Sequence, residues 1–218
     1  MTRLPRPPVI CIVTRVRGAA ASGERSALIA RLSTAAGAGA SMIQVRDRQV
    51  DDRTLLEFTS QLVAAVRSAG TLVLVNERTD VALAGGADGI HLRGDGPTIE
   101  DVRRTAPALL IGRSVHSEDE AAAAAIEAPD YLVFGTVFQS TSKSADHPLA
   151  GPEGLARVCR RVTVPVLAIG GITVSRAATV AAAGAAGIAG VSLFTDAPDI
   201  GATVAALRAA LTPSTGNV

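Results

Sequence analysis

Polar residues and glycines recur where short apolar runs of this sequence end. Residues of these types bind anions, donate hydrogen bonds or transfer protons, so their repeated position suggests one shared site. Each also has a structural interpretation: a surface residue, a helix cap for the asparagine, a buried core histidine, or a tight turn for the glycines. The residues concerned are Gln44, Arg46, Asn76, His91, Ser114, His116, Gly171 and Ser192.

The segment "FGTVFQSTSKSADHP" (134–148) is a second candidate for chemistry. Of the 21 lysines and arginines in the chain, only Lys143 is a lysine, and Ser140 and Ser142 lie beside it. A lysine ammonium is a compact charge on a flexible stem, which suits contact with an oxyanion. The alternative is that Lys143 is a chance survivor in a chain that favours arginine.

The elements that must position these residues follow from the apolar pattern. Near-continuous apolar runs are typical of strands buried on both faces of a parallel sheet, and they alternate here with alanine-rich helical segments. Eight such units in 218 residues predict a single-domain (β/α)8 TIM barrel. A doubly wound sheet is the alternative, although no GxGxxG follows the first strand. The predicted strands are 9–14, 42–46, 72–75, 89–92, 109–115, 131–134, 164–169 and 186–191.

A barrel of this kind carries its chemistry at the C-terminal ends of its strands, where the polar residues fall. The alternation in "QVR" places Gln44 and Arg46 on the same face of the second strand, opposite Val45. The glycines in "AIGGIT" and the small residues of "AGVSLF" follow strands seven and eight. Barrels commonly bind phosphate at that position, so a phosphate site is expected there.

Composition excludes several classes of protein. A formal net charge of +1 with scattered arginines gives no basis for binding nucleic acid or anionic membranes. Cys11 and Cys159 are too few for a disulfide scaffold. The N-terminal "MTRLPRPP" leads into a run of strand length, so we expect neither a signal peptide nor an anchor, and a cytoplasmic protein. We expect one domain over 1–212 and a disordered tail over 213–218.

The ordered set of segments resembles the thiamine phosphate synthase and TenI (thiazole tautomerase) family of barrels over nearly the whole chain. The segments that carry this resemblance are "IQVRDR", "LVNERTDVAL", "GADGIHL", "IGRSVHS", "DYLVFGTVFQSTSK", "VPVLAIGGI" and "GIAGVSLF".

The resemblance implies which residues form the pocket. Synthases of this family join hydroxymethylpyrimidine diphosphate to thiazole phosphate, with magnesium neutralising the leaving pyrophosphate. Backbone groups of Gly171, Val191 and Ser192 would hold the thiazole phosphate, and Lys143 would reach an anion. The expected substrate-binding residues are Gln44, Arg46, Asn76, His91, Ser114, Ser140, Ser142, Lys143, Gly171, Val191 and Ser192.

The chain departs from the synthase pattern at the metal ligands. It has "NER" where synthases usually have "NDR", and "HLRGDG" where they have "HLGQED", so Glu77 and Asp95 would be the altered magnesium ligands. The same segments are similar to the tautomerase branch, which needs no metal and whose catalytic histidine corresponds to His116. A histidine imidazole titrates near neutral pH and can both give and take a proton.

Three hypotheses follow from these residues. The first is an isomerase that aromatises thiazole carboxylate phosphate by proton transfer at His116, with no cofactor. The second is a thiamine phosphate synthase, which would require Mg²⁺ at Glu77 and Asp95. The third is a catalytically silent barrel that binds a phosphate ligand in a regulatory role. In each case the partner is a small phosphorylated thiazole, and a homo-oligomer stays possible.

Overall fold

Eight parallel strands close into a barrel in the order β1-β2-β3-β4-β5-β6-β7-β8, which confirms the predicted fold. The structure is a computed structural model that describes residues 3–14, 22–47, 49–140, 144 and 147–212. The predicted tail at 213–218 lies outside the described residues. The strands are β1 Val9–Val13, β2 Met42–Val45, β3 Leu72–Asn76, β4 Gly89–Leu92, β5 Leu110–Val115, β6 Tyr131–Phe134, β7 Val166–Ile169 and β8 Gly187–Gly190.

Helices follow the strands and form the outer layer, because each strand buries its outward face against a helix. A short 3₁₀ turn, Arg67–Ala69, extends the second helix. The helices are α1 Ser22–Gly37, α2 Asp52–Val66, α3 Thr79–Ala84, α4 Ile99–Thr105, α5 Glu118–Ile126, α6 Gly151–Arg161, α7 Val174–Ala182, α8 Ser192–Thr195 and α9 Ile200–Leu211.

The seam between β1 and β8 closes the barrel. Val9 pairs with Gly187 and Ile12 pairs with Gly190, while the other edge of β1 pairs with β2. Every strand therefore has two hydrogen-bonded neighbours, and no edge is left open.

Strand residues alternate between two apolar layers. Val9, Cys11 and Val13 point into the barrel, whereas Ile10 and Ile12 pack in the layer under the helices. The barrel interior also holds Tyr131, the single tyrosine of the chain, which is fully buried. The ring fits because the neighbouring strand has Gly112, where a Cβ atom would overlap the ring atoms.

Helix starts agree with the local sequence signals. Ser117 caps α5 by accepting a hydrogen bond from the Glu120 N–H at 3.1 Å, and Asp51 caps α2 in the same way through Thr54 at 2.9 Å. The four-residue helix α8 was not predicted; it fills the segment between β8 and α9. Among the described residues, none of the helices is both long and apolar enough to span a bilayer.

Candidate active site

One cavity of about 850 Å³ opens at the C-terminal ends of the strands. It brings together all of the predicted catalytic and substrate-binding residues that the structure describes, from seven of the eight strand ends. Of the two predicted magnesium ligands, Asp95 lines the cavity and Glu77 does not. Ser142 and Lys143 lie outside the described residues. The predicted residues that line the cavity are Gln44, Arg46, Asn76, His91, Ser114, His116, Ser140, Gly171, Val191 and Ser192.

A chain of hydrogen bonds forms the floor of this cavity. Gln44 bonds to the hydroxyl of Tyr131, which lies 3.0 Å from Nδ1 of His91. Nε2 of His91 lies 2.8 Å from the Ser114 hydroxyl, at the level of the cavity. The strand register produces this chain, since His91 pairs with Gly112 and Gly112 pairs with Tyr131.

His91 stays uncharged in this position. Burial lowers the pKa of His91 from 6.5 to about 3, and the positive charges of Arg46 and Arg113 add to the effect. A neutral imidazole donates from one nitrogen and accepts at the other. Both nitrogens already have protein partners, so we infer that His91 reaches a ligand only through Ser114.

His116 lies on the rim, where β5 ends and α5 begins. Its Nδ1 lies 2.6 Å from the carbonyl oxygen of Gly135, and its backbone N–H donates to Glu120 at 2.8 Å. A carbonyl oxygen only accepts, so Nδ1 must carry a hydrogen and donate it. The ring is thereby fixed in one tautomer, and Nε2 is the atom that can take up or release a proton.

The loop after β7 brings backbone close to the cavity. Gly170 and Gly171 have φ values of +99° and +60°, in the left-handed region that favours glycine. A Cβ atom on Gly171 would collide with the carbonyl oxygens of Gln139 and Phe138, 2.6 Å from the latter. This position therefore requires glycine both for its dihedral angle and for its contacts.

Helix α8 continues the same side of the cavity after β8. Arg31, from α1, donates to the carbonyl oxygen of Phe194 at 2.9 Å and also to that of Ala197. The cation thus satisfies carbonyl groups at the C-terminal end of α8, which a helix of one turn leaves exposed. Arg31 fixes the segment that presents Val191 and Ser192 to the cavity.

The two carboxylates expected to bind magnesium contact an arginine instead. Nη2 of Arg93 lies 2.7 Å from Oδ2 of Asp95, and its Nε lies 3.7 Å from Oε1 of Glu77. Oε2 of Glu77 also accepts from the Asn76 amide at 3.2 Å. No group of three metal-ligating side chains occurs among the described residues. The Arg93 cation already offsets part of the negative charge of this carboxylate pair and contacts both of its members, so the arrangement does not fit the magnesium ion that the family resemblance implies.

Sequence reasoning did not include Arg93 or Thr136 in the site, although both line the cavity. Arg93 stands two residues after His91, the spacing that returns a strand residue to the same face, and this signal could have found it. Thr136 bonds at 3.1 Å to Nε2 of His147 in a smaller groove, which shares the wall of His116, Gly135 and Thr136 with the main cavity. No local pattern indicates that contact.

Fold and cavity together define a class, the (β/α)8 barrels with a polar ligand cavity at the C-terminal mouth. The family model described as "Thiamine monophosphate synthase" matches residues 13–194. The chain therefore belongs to the thiamine monophosphate synthase family, as its sequence resemblance predicted, and this family acts in thiamine biosynthesis.

Individual relatives agree with this membership. The chain is 41% identical over 196 residues to a thiamine-phosphate synthase of Methanoregula boonei, covering 89% of this chain and 90% of the relative. It is 40% identical over 205 residues to one of Roseiflexus castenholzii, covering 94% and 90%. A solved structure, thiamine phosphate pyrophosphorylase from Pyrococcus furiosus, superposes with a TM-score of 0.81 at 33% identity, covering 93% of this chain and 95% of that one.

Proposed function

We propose that the chain is a thiamine-phosphate synthase, which joins hydroxymethylpyrimidine diphosphate to thiazole phosphate. Two relatives with this name match 89% and 94% of the chain. They support the synthase hypothesis more strongly than the isomerase hypothesis, which the sequence favoured first. In this reaction the thiazole ring nitrogen forms a bond to the exocyclic carbon of the pyrimidine. The bond from that carbon to the diphosphate oxygen breaks, and pyrophosphate leaves with the electron pair.

The observation that carries the proposal is that groups suited to anions lie on opposite sides of one cavity. Arg93 follows β4 and Ser192 follows β8, four strands apart in a ring of eight. Both line the cavity. A diphosphate and a phosphate can thus be held apart with the reacting nitrogen and carbon between them, which is what an ordered two-substrate reaction requires.

The proposed roles follow from residue chemistry. Backbone groups of Gly171, Val191 and Ser192 hold the thiazole phosphate. The positive Arg46 guanidinium binds the negatively charged diphosphate. Lys143, which follows Ser142 in the sequence, supplies a compact positive charge. The predicted cytoplasmic location, the small phosphorylated partner and the oligomeric state stay predictions.

The direct test is to incubate the protein with both substrates and to measure pyrophosphate release and thiamine phosphate together. We expect equal amounts of the two products. Arg46→Gln should slow the reaction about 100-fold, because the variant loses a positive charge that stabilises the negative charge developing on the leaving pyrophosphate. Arg104→Gln, which removes an exposed ion-paired arginine on α4, is the matched control and should leave the rate unchanged. Absence of both products in the wild type would refute the synthase proposal.

A second candidate, the isomerase, is favoured by the geometry of His116. Proton transfer between ring carbons of thiazole carboxylate phosphate needs one group that both removes and returns a proton. Nε2 of His116 is suited to this task, because the hydrogen bond from Nδ1 to Gly135 fixes the tautomer. The substrate carboxylate would take the side of Arg93, and its phosphate the side of Ser192.

Spectroscopy of the thiazole separates this candidate from the first. The isomerase would convert the non-aromatic tautomer without any pyrimidine substrate and would exchange ring hydrogens in D₂O. His116→Gln should lower that rate by about 100-fold or more, whereas His147→Gln, which alters the histidine outside the main cavity, should not. An unchanged isomerisation rate in the His116→Gln variant would refute the isomerase proposal. If neither reaction occurs while thiazole phosphate still raises the melting temperature, the silent binding barrel is favoured.

A further inference from the structure

We propose that Arg93 takes the place of a divalent cation in this cavity and binds the diphosphate of the substrate directly. This inference rests on the proposed synthase function for its ligand. The geometry behind it does not depend on that function. Arg93 contacts Asp95 at 2.7 Å and Glu77 at 3.7 Å, and the two carboxylates belong to the ends of adjacent strands.

Glu77 is held in place by the backbone around it. It adopts a left-handed φ of 62°, which is uncommon for a residue other than glycine. Its N–H donates to the carbonyl oxygen of His91 at 3.0 Å, and its carboxylate accepts from Asn76. The carboxylate is therefore directed at the Arg93 side chain by its own strand end and by β4.

Arg93 and a divalent metal ion compete for the same negative charge, that of Glu77 and Asp95. Two carboxylates balance one divalent cation, and with the guanidinium present they carry a net charge of only −1. A divalent ion entering between them would meet a fixed positive charge at ion-pair distance. Metal binding would require Arg93 to move away from both carboxylates.

The guanidinium can serve as a ligand for the diphosphate. Arginine has several N–H donors in a planar fork that matches phosphate oxygens, and only Nε and Nη2 face the carboxylates. The Arg93 side chain is 44% exposed and lines the cavity. Exposed ion pairs are weak, so a polyanion can compete for the guanidinium while the carboxylates keep it in position beforehand.

Binding of inorganic pyrophosphate in the presence of EDTA tests this assignment by calorimetry. We expect the wild type to bind without metal, Arg93→Gln to bind at least about tenfold more weakly, and Arg93→Lys to lie between the two. Arg104→Gln should match the wild type. A wild type that binds pyrophosphate only with magnesium, or an Arg93→Gln variant with unchanged affinity, would overturn the assignment.

Manganese titration followed by electron paramagnetic resonance gives a second readout that needs no activity. The wild type should bind Mn²⁺ far more weakly than Arg93→Gln, in which Glu77 and Asp95 are released from the guanidinium. Tight Mn²⁺ binding by the wild type that is lost in Glu77→Gln would contradict the proposal. If the protein lacks synthase activity but binds pyrophosphate through Arg93, the synthase proposal fails and the role of Arg93 stands.

Discussion

The hydrogen-bonded floor shows how a buried residue that lines the cavity can act on a ligand through a neighbouring residue. His91 was expected to bind substrate, and it is 3% exposed with both ring nitrogens bonded to protein groups. Burial raises the pKa of Tyr131, so the phenol keeps its hydrogen and can continue the chain to Gln44. Ser114 is therefore the residue through which we infer that His91 acts on a ligand.

Both cysteines should be unreactive in the folded protein. Burial raises the pKa of Cys11 to about 12 and that of Cys159 to about 11, and the thiolate is the reactive form. Iodoacetamide at pH 8, followed by mass spectrometry, should label neither thiol in the native protein and both in denaturant. Rapid native labelling of Cys11 would mean that the barrel interior opens to solvent.

Elements that follow from local signals were predictable, and elements that depend on distant contacts were not. The apolar runs located every strand, and Ser117 located the start of α5. Helix α8 is a single turn whose carbonyl groups are satisfied by Arg31 from α1, a contact that no local pattern encodes. The pairing of Arg93 with Glu77 likewise depends on the closeness of two strand ends.

The loop after β7 should tolerate no side chain at Gly171. Gly171→Ala adds a Cβ atom against two carbonyl oxygens and forces alanine into the left-handed region, with an expected cost of about 1–3 kcal/mol. Affinity for thiazole phosphate should fall as the loop moves. Gly86→Ala is the matched control, because Gly86 has a φ of +68° but nothing within 4 Å of the added atom.

Urea unfolding and calorimetry on both variants would measure these effects. Gly86→Ala should lose stability through backbone strain alone and should keep its ligand affinity. Equal affinity for thiazole phosphate in the Gly171→Ala variant would show that the loop does not hold the ligand.

The stability of the whole barrel should depend on pH through His91. The unfolded chain takes up a proton near pH 6.5, and the folded chain takes it up only near pH 3, so stability is full above 6.5 and falls as the pH drops below it. This one group should reduce the free energy of unfolding by about 2 kcal/mol between pH 7 and pH 5. Urea titrations at several pH values measure the slope of the free energy of unfolding against pH.

Substitution of the histidine provides the control for that prediction. His91→Gln should lower stability overall but flatten the slope between pH 7 and pH 5, whereas His147→Gln should keep the slope of the wild type. Parallel curves for His91→Gln and the wild type would show that His91 does not carry the pH dependence.

The seam between β1 and β8 has a consequence for synthesis. Strand β1 leaves the ribosome well before β8, and it cannot complete its pairing until Gly190 has also emerged. Val9–Val13 therefore keeps an unsatisfied backbone edge while the residues between β1 and β8 are synthesised, and such an edge is the kind of surface on which nascent chains aggregate. Closure of the barrel waits for β8, and protection of the β1 edge by chaperones matters until β8 has emerged.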